Sequence, residues 1–292
     1  MELNKIYFRD CLLGIKDIES NSIDIIIADP PYYNAIKEEW DNQWSSIKEY
    51  QDWCNKWIKE CFRVLKPSGT MFIYGYEPQL AYISILLDLD RQRWLSWYYT
   101  NKTVPSLNFW QHSHESIICT WKEKPIFNKE LIREPYTDKY VNNCSGRIRP
   151  SSNSARFGNK ETKYNINKDG ALPRDTIQIS TLAGGASLKE RIIYCKDCKS
   201  IINPTERKHH HLHKLLMHPT QKPRLLTEKL INSSKPDGEY TVLIPFVGSG
   251  SELAVIKKLK GNYIGFENNK DYFELANSYL EFENSIKNQK HK

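Results

Sequence analysis

The stretch from Tyr240 to Glu267 constrains the fold more than any other part of the chain. Tyr240 to Pro245 reads as a strand, Phe246-Val247-Gly248-Ser249-Gly250 as a glycine turn, and Leu253, Ala254, Ile256 and Leu259 fall at helical spacing. Tyr263-Ile264-Gly265-Phe266-Glu267 then reads as a further strand that ends on a carboxylate. Strand, turn, helix and strand in succession predict an α/β sheet. Gly248 and Gly250 let the backbone bend sharply and approach a ligand closely. A carboxylate at the next strand end can accept from both hydroxyls of a ribose. A dinucleotide-dependent oxidoreductase is the plain alternative. Against it, Gly-Ser-Gly is not the three-glycine dinucleotide pattern and makes no provision for a pyrophosphate. It suits a nucleoside cofactor without phosphate, such as S-adenosylmethionine.

A second motif lies near the amino terminus. Ile23 to Ala28 is an apolar run that reads as a buried strand, and Asp29-Pro30-Pro31-Tyr32 closes it. The prolines cannot extend a sheet and bias the residues before them away from helix. The carboxylate and the ring are therefore held in a rigid, strained corner at the carboxyl edge, where open α/β sheets bind ligands. That corner suits methyl transfer to the exocyclic amine of a base. Such a nitrogen is a poor nucleophile because its lone pair is delocalised into the ring. Asp29 can accept from one N–H and the Pro30 carbonyl from the other, which favours a pyramidal nitrogen with a localised lone pair. Positioning and electrostatics suffice, without a covalent intermediate. The Tyr32 ring can stack on a base turned out of the duplex. Taken alone, the motif also fits an ordinary surface turn.

Three blocks together resemble the β class of DNA amino methyltransferases, the adenine-N6 and cytosine-N4 enzymes of restriction–modification systems. They are Asp29-Pro30-Pro31-Tyr32, His218-Pro219-Thr220-Gln221-Lys222-Pro223, and Pro245-Phe246-Val247-Gly248-Ser249-Gly250. In that class the catalytic block precedes the cofactor block and the target-recognition region lies between them, which is the order here. The resemblance covers residues 4–122 and 216–282. It implies a circularly permuted S-adenosylmethionine-dependent, Rossmann-like methyltransferase sheet with an inserted DNA target-recognition region. Residues 1–122 would form the catalytic half, 123–215 the recognition region and 216–292 the cofactor-binding half. It further implies catalytic roles for Asp29, Pro30, Pro31 and Tyr32. Cofactor binding would fall to Asp10, Lys222, Phe246, Gly248, Ser249, Gly250 and Glu267. Asp10 would contact the cofactor's adenine; as the plain alternative it caps a helix starting near Leu12, and both roles are compatible. Ile244 departs from the pattern, since the family usually has an acid there.

The remaining elements fit this frame. Lys5 to Phe8 reads as a strand, and Trp53 to Leu65 as a helix with Trp57, Ile58, Cys61 and Leu65 on one face, stopped by Lys66-Pro67-Ser68-Gly69. Thr70 to Gly75 reads as a strand, Leu80 to Leu89 as a helix, and Trp94 to Thr100 and Ser116 to Trp121 as the final two strands. The tryptophans read as core and interface residues.

The 292 residues suffice for one sizeable core and a small second unit. No run of eighteen apolar residues and no signal peptide is seen, so a soluble, cytoplasmic protein without membrane contact is expected. Seven cysteines, an odd number, argue against a disulfide framework. Charge is unevenly spread. Residues 123–222 hold 19 Lys+Arg against 10 Asp+Glu, a net +9, whereas the rest holds 23 against 25. A solvated basic face would explain this, but the excess coincides with the expected recognition region, and phosphates need cations.

Within it, Asn142 to Gly170 has almost no periodicity and carries Arg147, Arg149, Arg156, Lys160, Lys163 and Lys168; it reads as loops that order on DNA. An insertion before the His218 block contains Cys195-Lys196-Asp197-Cys198 and then His209, His210, His211 and His213. Pairing through His209 and His213 gives C-x2-C-x10-H-x3-H, near zinc spacing. A basic histidine-rich loop with two free thiols is the other reading. No metal is assigned to the reaction site, because amino methylation needs none.

The expected activity is thus site-specific transfer of a methyl group from S-adenosylmethionine to adenine N6 in double-stranded DNA. Asp before Pro-Pro-Tyr is the usual adenine-N6 form in the family, whereas Ser is commoner in cytosine-N4 enzymes. The cytosine-N4 reaction and a catalytically inactive DNA-binding relative are the alternatives. Cytosine-C5 chemistry needs a nucleophilic cysteine, usually in a Pro-Cys pair, and the chain has no such pair. A cognate restriction endonuclease is the further partner implied, and the oligomeric state, monomer or homodimer, stays open.

Overall fold

The computed structural model describes every residue except 36, 102–105, 145, 150–161, 164–165, 184, 205–206, 208–209, 211 and 291–292. Its strands are β1 (Lys5–Phe8), β2 (Ile23–Ala28), β3 (Leu65–Gly75), β4 (Gln92–Tyr98), β5 (His114–Trp121), β6 (Ile148–Arg149), β7 (Thr162–Lys163), β8 (Thr176–Gln178), β9 (Ile193–Cys195), β10 (Ser200–Ile202), β11 (Leu215–Leu216), β12 (Thr241–Ile244) and β13 (Asn262–Glu267). The helices are α1 (Cys11–Gly14), α2 (Ile47–Val64), α3 (Glu77–Ser84), α4 (Asp138–Cys144), α5 (Arg224–Ser234), α6 (Ser251–Lys258) and α7 (Lys270–Lys290).

Eight strands form one sheet in the order β1-β13-β12-β2-β3-β5-β4-β8. The first five are mutually parallel, β5 runs antiparallel to both its neighbours, and β8 pairs parallel with β4. Pairing of β12 with β2 joins the two ends of the chain, with Val242 opposite Ile25 and Leu243 opposite Ile26. This places the turn after β12 beside the corner after β2.

Both faces of the sheet are covered, which is why its central strands are apolar without alternation. Ile25 and Ile27 of β2 enter the core beneath α5, α6 and α7, together with Phe72, Tyr74, Val242 and Ile244. Ile26 and Ala28 point the other way, into a core with Met71, Ile73, Leu243 and residues of α1, α2 and α3. The largest of these helices, α2, starts where the Ser46 hydroxyl accepts from the Glu49 N–H. It buries Tyr50, Cys54, Trp57, Ile58, Cys61 and Val64, a continuous stripe at helical spacing.

The strand before the Asp29 corner and the strand at Lys5 lie where the sequence places them. Other bounds move. Helix α2 begins six residues before Trp53, and β3 starts at Leu65, so Lys66-Pro67-Ser68-Gly69 enters the strand directly instead of forming a separate stop. The helix expected over Leu80 to Leu89 is α3, which begins and ends earlier. The sheet also does not finish with β4 and β5: β8 adds an edge strand too short to show any periodicity.

The chain divides into two compact units, Met1–Phe127 with Asp175–Lys292, and Asn128–Arg174. The smaller contains α4 and the antiparallel pair β6 and β7. Its ends are tied by backbone bonds between Glu134 and Ala171, and Arg174 pairs with Glu134. Arg156 and Lys160, two of the cations expected to meet DNA, lie outside the described residues.

Candidate active site

Four parallel strands deliver the candidate residues to one edge. Strand β2 ends at Ala28 and is followed by Asp29; β12 ends at Ile244, before Pro245 and Phe246; β13 ends on Glu267; and β1 ends at Phe8, two residues before Asp10. A cavity opens at this carboxyl edge. Its lining includes Asp10, Asp29 to Tyr32, Lys222, Phe246, Gly248, Ser249 and Glu267. Gly250 is the one predicted binding residue outside the lining. With φ of 77° it caps α6, and a side chain there would press on Ala276 of α7.

The Asp29 corner is held from several sides. Asp41, fully buried, accepts from the backbone N–H groups of Tyr32 and Ala35, the latter at 2.7 Å. The Tyr50 hydroxyl donates to the Pro31 carbonyl at 2.8 Å. Among the described residues nothing donates to the Pro30 carbonyl. Tyr33 and Asn34 take φ of 56° and 58°, a costly backbone for a bulky residue such as Tyr33. The strained corner read from the prolines is therefore real, and the strain sits just after them.

Asp29 is fully engaged. One oxygen accepts from the Tyr32 hydroxyl, and the other faces the Lys222 ammonium at 3.0 Å. Lys222 also donates to the Tyr32 hydroxyl at 2.9 Å and lies 3.6 Å from Glu115. Burial alone would lower the Lys222 ammonium, but Asp29 and Glu115 outweigh it and hold it above its ordinary value. Burial pushes the Glu115 carboxyl up, against the pull of Lys222. The Tyr32 ring is turned inward and meets Tyr76 edge to face, with centroids 5.7 Å apart. It is not displayed for stacking as the sequence suggests.

Phe246 is braced by Trp53 and Trp57, at centroid distances of 5.7 and 5.5 Å. Trp57 and Trp97 are core residues as expected, but Trp40 and Trp53 line the cavity. Glu267 accepts from the Gly248 and Asn269 N–H groups, each at 2.8 Å, while burial raises its carboxyl. Asp10 accepts from the Leu12 N–H at 2.9 Å, so it caps α1 and still lines the cavity. His218 lies between Trp40 and Tyr272, and burial, Lys222 and Arg191 lower it to about 3, so its ring is neutral at pH near 7. Glu252, which sequence reading missed, is buried in the cavity wall. Burial first, and the Asp29 charge next, push its carboxyl up to about 7.

A second cavity, lined by Glu115, Arg191, Ile193, Arg207 and Met217, lies on the other side of this network. Tyr32, Thr220, Gln221 and Lys222 line both. Two chambers thus meet across the Asp29–Tyr32–Lys222 cluster.

The DNA methylase family model for N6 and N4 methyltransferases matches residues 23–278. The chain belongs to this family. Among its curated relatives, the type II methyltransferase M.HpaI of Haemophilus parainfluenzae is 30% identical over 285 residues, covering 96% of this chain and 74% of the relative. The type II methyltransferase M.HinfI of Haemophilus influenzae is 31% identical, covering 95% and 68%. Among solved structures, the PvuII cytosine-N4-specific DNA methyltransferase aligns with a TM-score of 0.60 at 17% identity, covering 95% of this chain and 86% of that one. The M1.HpyAVI–SAM complex aligns at 0.53 with 22% identity, covering 94% and 98%. These likenesses establish the fold, so this DNA methylase has the Rossmann-like methyltransferase sheet that its sequence blocks imply. Among the described residues no helix is long and apolar enough to cross a membrane.

Proposed function

We propose that this DNA methylase transfers the methyl group of S-adenosylmethionine to adenine N6 at a defined site in double-stranded DNA. The observation that carries the reading is the junction of two cavities at Tyr32, Thr220, Gln221 and Lys222, with Asp29 bonded to two members of that junction. One chamber suits the cofactor and the other a base turned out of the helix. Cofactor contacts fall to Asp10, Phe246, Gly248, Ser249 and Glu267, with Phe246 offering a ring face and Glu267 a ribose acceptor. Lys222 stands at the reacting end of that set.

The target amine replaces the Tyr32 hydroxyl on Asp29 and gives its second hydrogen to the Pro30 carbonyl. Those two acceptors localise the nitrogen lone pair toward the methyl group. S-adenosylmethionine, when bound, would supply the methyl group and leave as S-adenosylhomocysteine, and the Asp29 carboxylate that holds the amine would accept the proton the methylated nitrogen gives up. Tyr32, freed from Asp29, turns toward the base. Adenine is favoured over cytosine by Asp29 at the head of its block. The basic stretch 123–215 serves as the target-recognition region between catalytic and cofactor halves. The reading places the protein in the cytoplasm beside a cognate restriction endonuclease that cuts the same site unmethylated.

Mapping modified bases in DNA from cells expressing the protein tests the assignment. N6-methyladenine confined to one short sequence is expected. N4-methylcytosine there would shift the base, and an unmodified genome would remove the activity.

The glycine turn gives a separate prediction. Gly248 has φ of 52°, and an added Cβ would lie 2.9 Å from the His218 ring. Gly248→Val should therefore displace His218 and raise the Kd for S-adenosylmethionine at least tenfold, or about 1.4 kcal/mol. Isothermal titration of the folded variant checks this, and an unchanged Kd would leave the turn with a purely structural part.

A further inference from the structure

Outside the reaction site, one cluster of side chains has no part in methyl transfer. Strands β9, β10 and β11 form a small antiparallel sheet of their own, with β9 in the middle. Cys195 ends β9, Cys198 sits in the turn that follows, and His210 and His213 approach from the connection to β11. Their four ligand atoms all lie within 4.8 Å of one another. Of the two histidines that the sequence spacing selects, His213 takes part. His209 lies outside the described residues, and His210 stands in the fourth position.

The distances fit one ion. The Nδ1 of His213 lies 3.3 Å from both sulfurs, the Nδ1 of His210 lies 3.8 Å from the Cys198 sulfur, and the two nitrogens are 3.2 Å apart. Zinc bonded to sulfur at about 2.3 Å and to nitrogen at about 2.05 Å, in a tetrahedron, separates S and N by about 3.5 Å and two N atoms by about 3.3 Å. A hydrogen bond accounts for any one of these pairs, but not for four ligand atoms that all lie within 4.8 Å of one another, as four groups around one ion do. A disulfide between the cysteines would not draw both imidazoles to the sulfurs. The Cys198 N–H also donates to the Cys195 sulfur at 3.3 Å, as a thiolate would favour. Lys199, next in the chain, holds φ of 52°, so the turn must be pinned to keep its shape.

The segment needs such a pin. Its own core consists of Ile193, Cys195 and Ile202, with Leu215 and Met217 partly buried against them. The opposite face of the sheet is anchored, since Ile192 and Tyr194 are buried in the main core with Ile201 and Leu216 packed against it, but the turns that carry Cys198, His210 and His213 hang from this small cluster alone. We propose that Cys195, Cys198, His210 and His213 bind one zinc ion that staples this small sheet. Four protein ligands close the tetrahedron, so the site is structural and leaves no position for a reacting water.

The staple also has a place in the active site. Arg191, Ile193, Pro204, Arg207 and Met217, all from this segment, line the second cavity. Gln221 ties the segment to the His218 block, accepting from the Ile192 N–H at 3.0 Å and donating to the Glu190 carbonyl at 2.8 Å. Zinc therefore shapes the wall against which, on the reading above, the target base rests. The cofactor chamber depends chiefly on the main sheet.

The 292-residue chain, purified without a polyhistidine tag under reducing conditions, should contain about one zinc per chain. Its cobalt-substituted form should show the d–d and thiolate charge-transfer bands of a tetrahedral site. Cys195→Ser combined with Cys198→Ser should lose both signals. Chelation should remove amide-exchange protection from residues 192–217 while β2 and β12 keep theirs. It should also raise the KM for DNA about tenfold with the S-adenosylmethionine Kd unchanged; only this last readout rests on the proposed function. Metal content below about a tenth of an equivalent with reduced thiols and no cobalt bands would overturn the site, as would zinc retained by the double variant. If that variant does not fold, metal content and the cobalt spectrum of the unaltered chain decide alone. Exchange in residues 192–217 that ignores chelation would overturn the stapling role.

Discussion

Asp29→Asn should lower kcat for DNA methylation by about 10²–10³-fold while leaving the Kd for S-adenosylmethionine within about threefold. The substitution keeps the shape of the side chain but turns one acceptor oxygen into an amide donor and removes the charge. The loss falls on the step in which the target amine localises its lone pair, because ground-state cofactor contacts lie elsewhere in the cavity. Asn is the better probe than Ala. Lys222 sits 3.0 Å from Asp29 and is almost fully buried, so complete removal of the carboxylate would leave an ammonium leaning on Glu115 alone. Single-turnover methylation with saturating cofactor, beside titration of cofactor binding, separates the two effects. Turnover near that of the unaltered protein would contradict the role given to Asp29.

Lys222→Met is expected to be the most destabilising single change at the site. It leaves Asp29 and Glu115 facing each other without a cation, and breaking a buried pair costs about 3–5 kcal/mol. At roughly 2–4 °C per kcal/mol, Tm should fall by about 6–20 °C. Adding Glu115→Gln should restore part of the loss, since one unpaired carboxylate is then gone. The deficit should also depend on pH. Burial already raises the Glu115 carboxyl against the opposing pull of Lys222, and without the ammonium it rises further. A carboxyl that holds its proton more tightly folded than unfolded gains stability as pH falls. The variant's deficit should therefore shrink from about pH 8 to about pH 5. Thermal melts of the three proteins across that range check the sign; a deficit that grows on acidification would rule out this origin.

The residues legible in the sequence were those fixed by strand ends. Asp10, Asp29, Phe246 and Glu267 each follow or close an apolar run, and parallel pairing of β1, β13, β12 and β2 then collects them at one edge without further information. Residues recruited by tertiary packing were not legible. Glu252 stands three places after Ser249, a spacing that reads as a helix cap, yet it is buried in the cavity wall. Glu115 did leave a signal. It alternates in phase with Ile117 and Cys119 on β5, which puts an acid on a core-facing row. Asp41 and Trp40 lie in a single 3-10 turn, Glu39–Asp41, too short to show periodicity, and only the folded corner shows why they are there. His210 was hidden among adjacent histidines whose spacing alone could not rank them.

The central claim, methyl transfer to adenine at the Asp29 corner, is tested most directly by incubating the purified protein with unmethylated DNA and S-adenosylmethionine and then digesting the DNA to nucleosides for mass spectrometry. The account predicts N6-methyldeoxyadenosine from the unaltered protein and a signal lower by about 10²–10³-fold in initial rate from Asp29→Asn. N4-methyldeoxycytidine as the product, or equal rates from the two proteins, would contradict it.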